Sequence, residues 1–256
     1  MTPTTPFTLH GKRALITGSA QNIGFTLAQG LGEAGADLLL NDLDPAKLDS
    51  AAATLRRAGL RVTTRAFDVT READVIAGVR ALEQDGGPVD ILVNNAGIHR
   101  RAPLESMSLA DWQAVLDVNL TSAFLLSRTV APGMISRGAG KIINLCSVNT
   151  DLARPGIANY AAAKAGLKML TRSMAVEWGR HNIQANGIGP GYFVTDLTRS
   201  LAANAEFDQW LRARTPAGRW GELQELVGTA VFLASEASDF VNGQTVYVDG
   251  GLLAAL

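Results

Sequence analysis

The chain is short of the features that mark several protein classes. Its 256 residues include a single cysteine, Cys146, so no internal disulfide can form and a reducing, cytoplasmic setting is the expectation. The three histidines (His10, His99 and His181) are scattered and no cysteine pair accompanies them, which argues against a zinc or other metal site. Basic and acidic residues number 23 and 24, a formal charge of −1, so there is no electrostatic case for nucleic acid or an anionic membrane as partner. No apolar run approaches the roughly 18 residues of a membrane span. The opening segment, Met1-Thr-Pro-Thr-Thr-Pro-Phe-Thr8, lacks the charged-then-apolar order of a secretory signal. Repeats, low-complexity runs and linker-like stretches are missing too, which leaves residues 1–256 as one domain.

What is present is apolar sequence, 47% of the chain, arranged as strands alternating with helices. Arg13–Thr17 is a short apolar run of the kind buried on both faces of a parallel sheet, and Leu38–Leu40, Val62–Phe67, Ile91–Val93, Lys141–Cys146, Ile183–Ile188 and Thr245–Val248 read as the further strands. Helical spacing fills the gaps: Ile23, Leu27, Leu31 and Ala34 share one face, and Asp44-Pro45 caps the next helix. Ser108 with Asp111 opens a long helix to Arg137, and another from about Ala158 carries Tyr160. Two more helical stretches, near Thr195–Arg214 and Leu223–Ala234, precede the last strand. The alternation predicts an α/β fold: a Rossmann-type, doubly wound parallel sheet of about seven strands with helices on both faces. Residues of about 11–150 form a cofactor half and about 141–256 a catalytic and substrate half.

The turn after the first strand, Gly18-Ser19-Ala-Gln21-Asn22-Ile23-Gly24, opens a helix. Glycines there admit a pyrophosphate, and the helix N-terminus offers N–H groups and a favourable dipole. Asp42, with Leu43 beside it, follows the second strand, where a carboxylate accepts from an adenosine ribose and repels a 2′-phosphate. No arginine or lysine in the glycine turn or at Leu43 receives that phosphate, so the expectation is NAD(H) in preference to NADP(H). Asp68 and Val69 close the third strand, where Asp68 reaches an adenine edge or simply caps the loop.

Tyr160 and Lys164 stand one helical turn apart on one face, with Ser147 thirteen residues earlier. A lysine ammonium beside a phenol favours the phenolate and brings the tyrosine toward general acid–base use.

These motifs together resemble the short-chain dehydrogenase/reductase family over nearly the whole chain. The resemblance is carried by Thr17-Gly18 with Gly24, Asn94-Asn95-Ala96-Gly97, Asn119, Ser147, Tyr160 with Lys164, and Pro190-Gly191 with Thr195. It implies a catalytic set of Ser147, Tyr160, Lys164 and Asn119. Tyr160 would carry the proton, Ser147 would hold the substrate oxygen, Lys164 would bind the nicotinamide ribose and lower the tyrosine pKa, and Asn119 would hold a water. It also implies cofactor contacts from Asn95, Ala96, Gly97, Pro190, Gly191, Phe193 and Thr195, and a homotetramer, toward which the apolar Leu252–Leu256 could pack. Loop stretches such as Asn95–Pro103 and Arg214–Gly221 resemble the branch of the family that interconverts D-gluconate and 5-keto-D-gluconate. That substrate needs hydrogen-bonding groups and a cation for its carboxylate. His99, Arg100, Arg101, Asn149, Asp151, Arg154 and Tyr192 lie on loops where such sheets bind ligands, and Arg199–Trp220 reads as either a lid or ordinary packing. Rival readings are another polyol, sugar acid or 3-oxoacyl thioester as substrate, or a cofactor-binding regulator without catalysis. The last is suggested by Asn22, which stands where the family usually has glycine. Asparagine tolerates positive φ, so the expectation is cofactor binding retained but weakened.

Overall fold

Strand-length apolar runs flanked by helices assemble as the alternation predicts. The computed structural model describes residues 6–255. Residues 1–5 of the opening segment and residue 256 of the apolar C-terminal run lie outside the described residues. Strands β1 (Arg13–Thr17), β2 (Asp37–Asn41), β3 (Val62–Thr64), β4 (Ile91–Asn94), β5 (Gly140–Leu145), β6 (Ile183–Pro190) and β7 (Thr245–Val248) form one sheet in the order β3-β2-β1-β4-β5-β6-β7. Every pairing is parallel.

Period-2 alternation then sends each strand to two cores. Ala14 and Ile16 of β1 pack with Leu27 and Leu31 of α1 (Asn22–Glu33) and Leu48 of α2 (Pro45–Arg57). Leu15, between them, packs on the other face with Val75 and Val79 of α3 (Glu72–Gln84). This two-sided burial is why the strands carry no polar face.

The predicted helix from Ser108 to Arg137 is interrupted. Helix α4 (Leu109–Leu116) runs into a π-helical turn (Asp117–Thr121) before α5 (Ser122–Arg137). Helix α6 (Ala158–Trp178) follows β5 and carries Tyr160 and Lys164. The stretch predicted near Thr195–Arg214 is two short helices, α7 (Arg199–Ala202) and α8 (Ala205–Arg214), and α9 (Val227–Ala234) precedes β7. Strand β3 ends at Thr64 rather than Phe67. Among the described residues, no helix is long and apolar enough to cross a membrane.

Strand order reverses between β1 and β4, so the chain leaves the carboxyl ends of these neighbours in opposite directions. A crevice opens at such a switch point, and ligands of open α/β sheets bind there.

Candidate active site

The crevice is a cleft of 380 Å³ over the ends of β1, β4, β5 and β6. One wall is the glycine turn. Gly18 adopts φ +61°, and Asn22 takes φ +49°, the positive value expected of the residue that replaces a glycine. Gly24 leaves no room for a side chain: a Cβ would stand 2.5 Å from Asn95 Nδ2 and closer still to the Gly18 carbonyl. Asn95 holds the turn from below, its Nδ2 donating to Thr17 O at 2.8 Å and Gly18 O at 2.9 Å. Helix α1 meets the cleft with no side chain capping its N-terminus and no acidic residue in its first turn. Its free N–H groups and positive dipole end suit an anion. These features fit the pyrophosphate of a dinucleotide.

Every sequence-predicted cofactor residue lines this cleft except Ser19. Ser19 is fully buried and donates to Asn41 O at 3.1 Å, so it braces the turn instead of facing ligand. Asp68 accepts from Thr70 N at 2.9 Å and Thr70 Oγ1 at 2.7 Å, which is the loop-capping alternative, although it still borders the cleft. Asn22 does not point idly to solvent. Its Nδ2 donates to Asp196 Oδ2 at 3.0 Å, tying the glycine turn to the segment after β6, and both residues line the cleft. Removing this tie across the two walls in Asn22→Gly should tighten cofactor binding roughly fivefold, about one net hydrogen bond. Fluorescence titration reads this directly, and an unchanged Kd would reject it.

The second wall carries Ser147, Tyr160 and Lys164. Ser147 follows β5 by two residues, accepts from Asn149 N at 3.1 Å and is thereby fixed at the rim. Tyr160 sits near the start of α6, where fully buried Asn159 caps its N–H at 2.8 Å and reaches Arg100 O at 3.0 Å and Asp111 O at 3.3 Å. Asn159 is a positioning residue the sequence argument missed, hidden as a polar residue inside a helical run. Lys164 is buried, its ammonium donating to Leu145 O and lying 5.7 Å from the Tyr160 ring centre.

The electrostatics differ from the sequence expectation. Burial pushes the Tyr160 phenol up to about 12, opposed by the nearby Ser147 hydroxyl. Lys164 is itself lowered to about 8 by burial. Desolvating the phenolate therefore outweighs the Ser147 hydrogen bond that favours it.

Asn119 is placed differently from the expectation. It lies in the π-helical turn, buried, with Oδ1 accepting from Ile98 N at 2.8 Å and Nδ2 donating to Ile98 O at 3.0 Å. Both ends of the side-chain amide thus fix the loop after β4, with one lone pair and one N–H still unused. Such turns recur at functional sites.

Of the substrate candidates, His99 alone lines the cleft. Arg100 faces Asp111 at 3.8 Å, Arg101 donates to Leu197 O at 3.0 Å, and Arg154 lies 5.3 Å from the Phe207 ring centre. Arg101 and Arg154 are nonetheless close enough to act electrostatically on His99. The backbone N–H of Asn149 donates to Ser147 Oγ, and Asp151 is bound to Lys168 at 2.7 Å and to Tyr247. Tyr192 meets Phe207 at a tilt and Trp210 and Trp220 edge-on, and Phe207 in turn packs against Trp210 and Trp220, so the Arg199–Trp220 segment carries an aromatic cluster. Among the described residues no cluster of side chains could hold a metal ion.

A parallel switch-point sheet, a glycine turn under an uncapped helix and a Ser-Tyr-Lys wall define a nucleotide-dependent oxidoreductase. A family model described as enoyl-(acyl carrier protein) reductase matches residues 18–253, and the chain belongs to the short-chain dehydrogenase/reductase family. It is 54% identical to a gluconate 5-dehydrogenase of Gluconobacter oxydans over 98% of both chains. It is 50% identical to a 5-keto-D-gluconate 5-reductase of Escherichia coli, again over 98% of both. Among solved structures, a gluconate 5-dehydrogenase from Burkholderia cenocepacia in complex with NADP and tartrate is 53% identical, with a TM-score of 0.96 over 98% of both chains.

That last structure, and a 38% identical one from Beutenbergia cavernae (TM-score 0.94, covering 98% of this chain and 100% of that one) with bound NADP, overturn the expected preference for NAD. The sequence argument treated Asp42 as a free carboxylate facing the ribose. Its oxygens instead accept from Ala20 N at 3.1 Å, Leu43 N at 2.8 Å and Asp44 N at 3.3 Å. Backbone N–H groups offset its charge, and repulsion of a 2′-phosphate no longer follows.

Proposed function

We propose that this chain is an NADP(H)-linked oxidoreductase interconverting D-gluconate and 5-keto-D-gluconate. The observation that carries the reading is the convergence of Ser147, Tyr160 and Lys164 on one wall of the cleft, facing the glycine turn. Relatives named for this substrate pair, at 54% and 50% identity, supply the substrate. The Burkholderia relative, in complex with NADP and tartrate, is consistent with a hydroxy-acid class of ligand.

The glycine turn, the α1 N-terminus and Asn95 would hold the cofactor's pyrophosphate half, and Pro190, Gly191 and Thr195 its nicotinamide end. The nicotinamide supplies or accepts the hydride. Everything else is the work of this chain's side chains. Tyr160 gives its phenolic proton to the substrate oxygen during reduction and takes it back during oxidation. Ser147 donates a hydrogen bond to that oxygen and stabilises its developing charge. Lys164 contributes a positive charge behind the phenol and a donor for the ribose hydroxyls. A phenol raised to about 12 is protonated at neutral pH, the form that donates in reduction.

The pH dependence follows from Lys164. A cation lowered to about 8 is charged below that value and neutral above it. The reductive kcat/KM should therefore fall as pH rises through about 8, and Lys164→Arg should carry the limb upward. A profile flat to pH 10 would contradict the role.

The substrate assignment is tested by NADPH consumption with 5-keto-D-gluconate beside a panel of other ketoses, keto acids and an acetoacetyl thioester. Preference for 5-keto-D-gluconate supports the reading, and preference for another carbonyl rejects the substrate while keeping the mechanism. A homotetramer is the assembly we propose, with exposed Phe124, Met169 and Val176 of α5 and α6 as an apolar face. A monomeric mass in solution would reject it.

A further inference from the structure

One polar ring in the cleft is left without a partner. His99 emerges from the loop after β4 and lies flat on Tyr160, with ring centres 3.9 Å apart and planes inclined by 25°. Its Nδ1 is sealed from solvent and has no hydrogen-bond partner among the described residues. Leaving such a group unpaired costs stability, so its retention calls for a reason. Nε2 is the polar edge left to the cleft that His99 lines.

The surroundings fix the charge and the tautomer. Burial and three cations, Arg101, Lys164 and Arg154, bring the imidazole down to about 4. Tyr160, the other titratable group against the ring, is a neutral phenol. The ring is therefore neutral at physiological pH, with one donor nitrogen and one acceptor. A closed, unpartnered position tolerates a lone pair better than an N–H. The proton accordingly sits on Nε2, where it faces the cleft beside the Tyr160 phenol.

We propose that His99 determines specificity in this site: its Nε2–H donates a hydrogen bond to an oxygen next to the reacting carbon of a polyhydroxy substrate, while its ring, stacked on Tyr160, keeps the phenol aimed. This rests on Tyr160 being the proton carrier. A neutral imidazole suits a hydroxyl or carbonyl oxygen and adds no charge to a site already rich in cations. A substrate without an oxygen at that position would forfeit the bond.

Two substitutions separate the donor from the stack. His99→Phe keeps an aromatic face and removes the donor; His99→Gln keeps an N–H donor and removes the stack. Both are assayed with NADPH on the polyhydroxy carbonyl compound that the wild-type protein reduces best, alongside cofactor Kd and Tm as controls for folding. His99→Phe should raise KM at least tenfold with cofactor Kd within about twofold. His99→Gln should restore KM to within about threefold while lowering kcat. Should the phenylalanine variant fail to fold, His99→Leu removes the donor in its place. Unchanged KM in the donorless variant, or equal KM defects in His99→Gln and His99→Phe, overturns the proposal. If 5-keto-D-gluconate is inert but another polyhydroxy ketone is reduced, the substrate reading falls and the His99 comparison proceeds on that ketone. Silence of the wild-type protein on every polyhydroxy carbonyl defeats both.

Discussion

Tyr160→Phe should lower kcat by about 10²–10⁴-fold while leaving cofactor Kd nearly unchanged, the range for losing a positioned proton carrier. The substitution removes one oxygen from a ring that is otherwise held by packing. The Asn159 cap on its backbone, the His99 stack on its face and the Lys164 ammonium at 5.7 Å all survive in the phenylalanine variant. The loss would thus report the proton and not the architecture. Among the described residues the only side chain that hydrogen-bonds the phenol is Ser147, so the fold has little to lose by its removal. Full turnover by this variant, measured by NADPH consumption, would defeat the mechanism.

Gly24→Ala should act on the opposite wall. The added methyl would run into the Gly18 carbonyl and stand 2.5 Å from Asn95 Nδ2. Neither neighbour is a flexible side-chain end: one is backbone, and the other is held by bonds of 2.8 and 2.9 Å to Thr17 and Gly18. Overpacking of this kind costs typically about 1–3 kcal/mol. Because the strain falls on the turn itself, cofactor Kd should rise roughly 10–100-fold, with a fall in Tm of a few degrees. Wild-type affinity in this variant would mean that the glycine turn is not the pyrophosphate site. Together the two substitutions separate the walls: one spares binding and stops turnover, the other weakens binding first.

Much of this was readable from the sequence because the strands are buried on both faces. Continuous apolar runs such as Leu38–Leu40 and Ile142–Ile143 admit no polar side, and they located the sheet. The Tyr160 and Lys164 spacing was legible because helical periodicity is local. What failed was set by contacts between distant segments. Asp42 looks like a free carboxylate until the N–H groups of Ala20, Leu43 and Asp44 are seen to bind it. Asn119 also braces a loop, because Ile98, 21 residues away, pairs with both ends of its amide. Lys164 looks like a charge that lowers a phenol, whereas burial acts on both groups and raises the phenol. The buried network of Asn94, Asn144 and Thr171, which joins β4 and β5 to α6, is equally silent in a linear reading.

Oxidation of a sugar acid at one carbon is decided by the product of the oxidative reaction. D-Gluconate and NADP+ would be incubated with the protein and the keto acid identified by NMR. The expected product is 5-keto-D-gluconate. Formation of a 2-keto acid, or no oxidation of D-gluconate by a protein that turns over another alcohol, would contradict it.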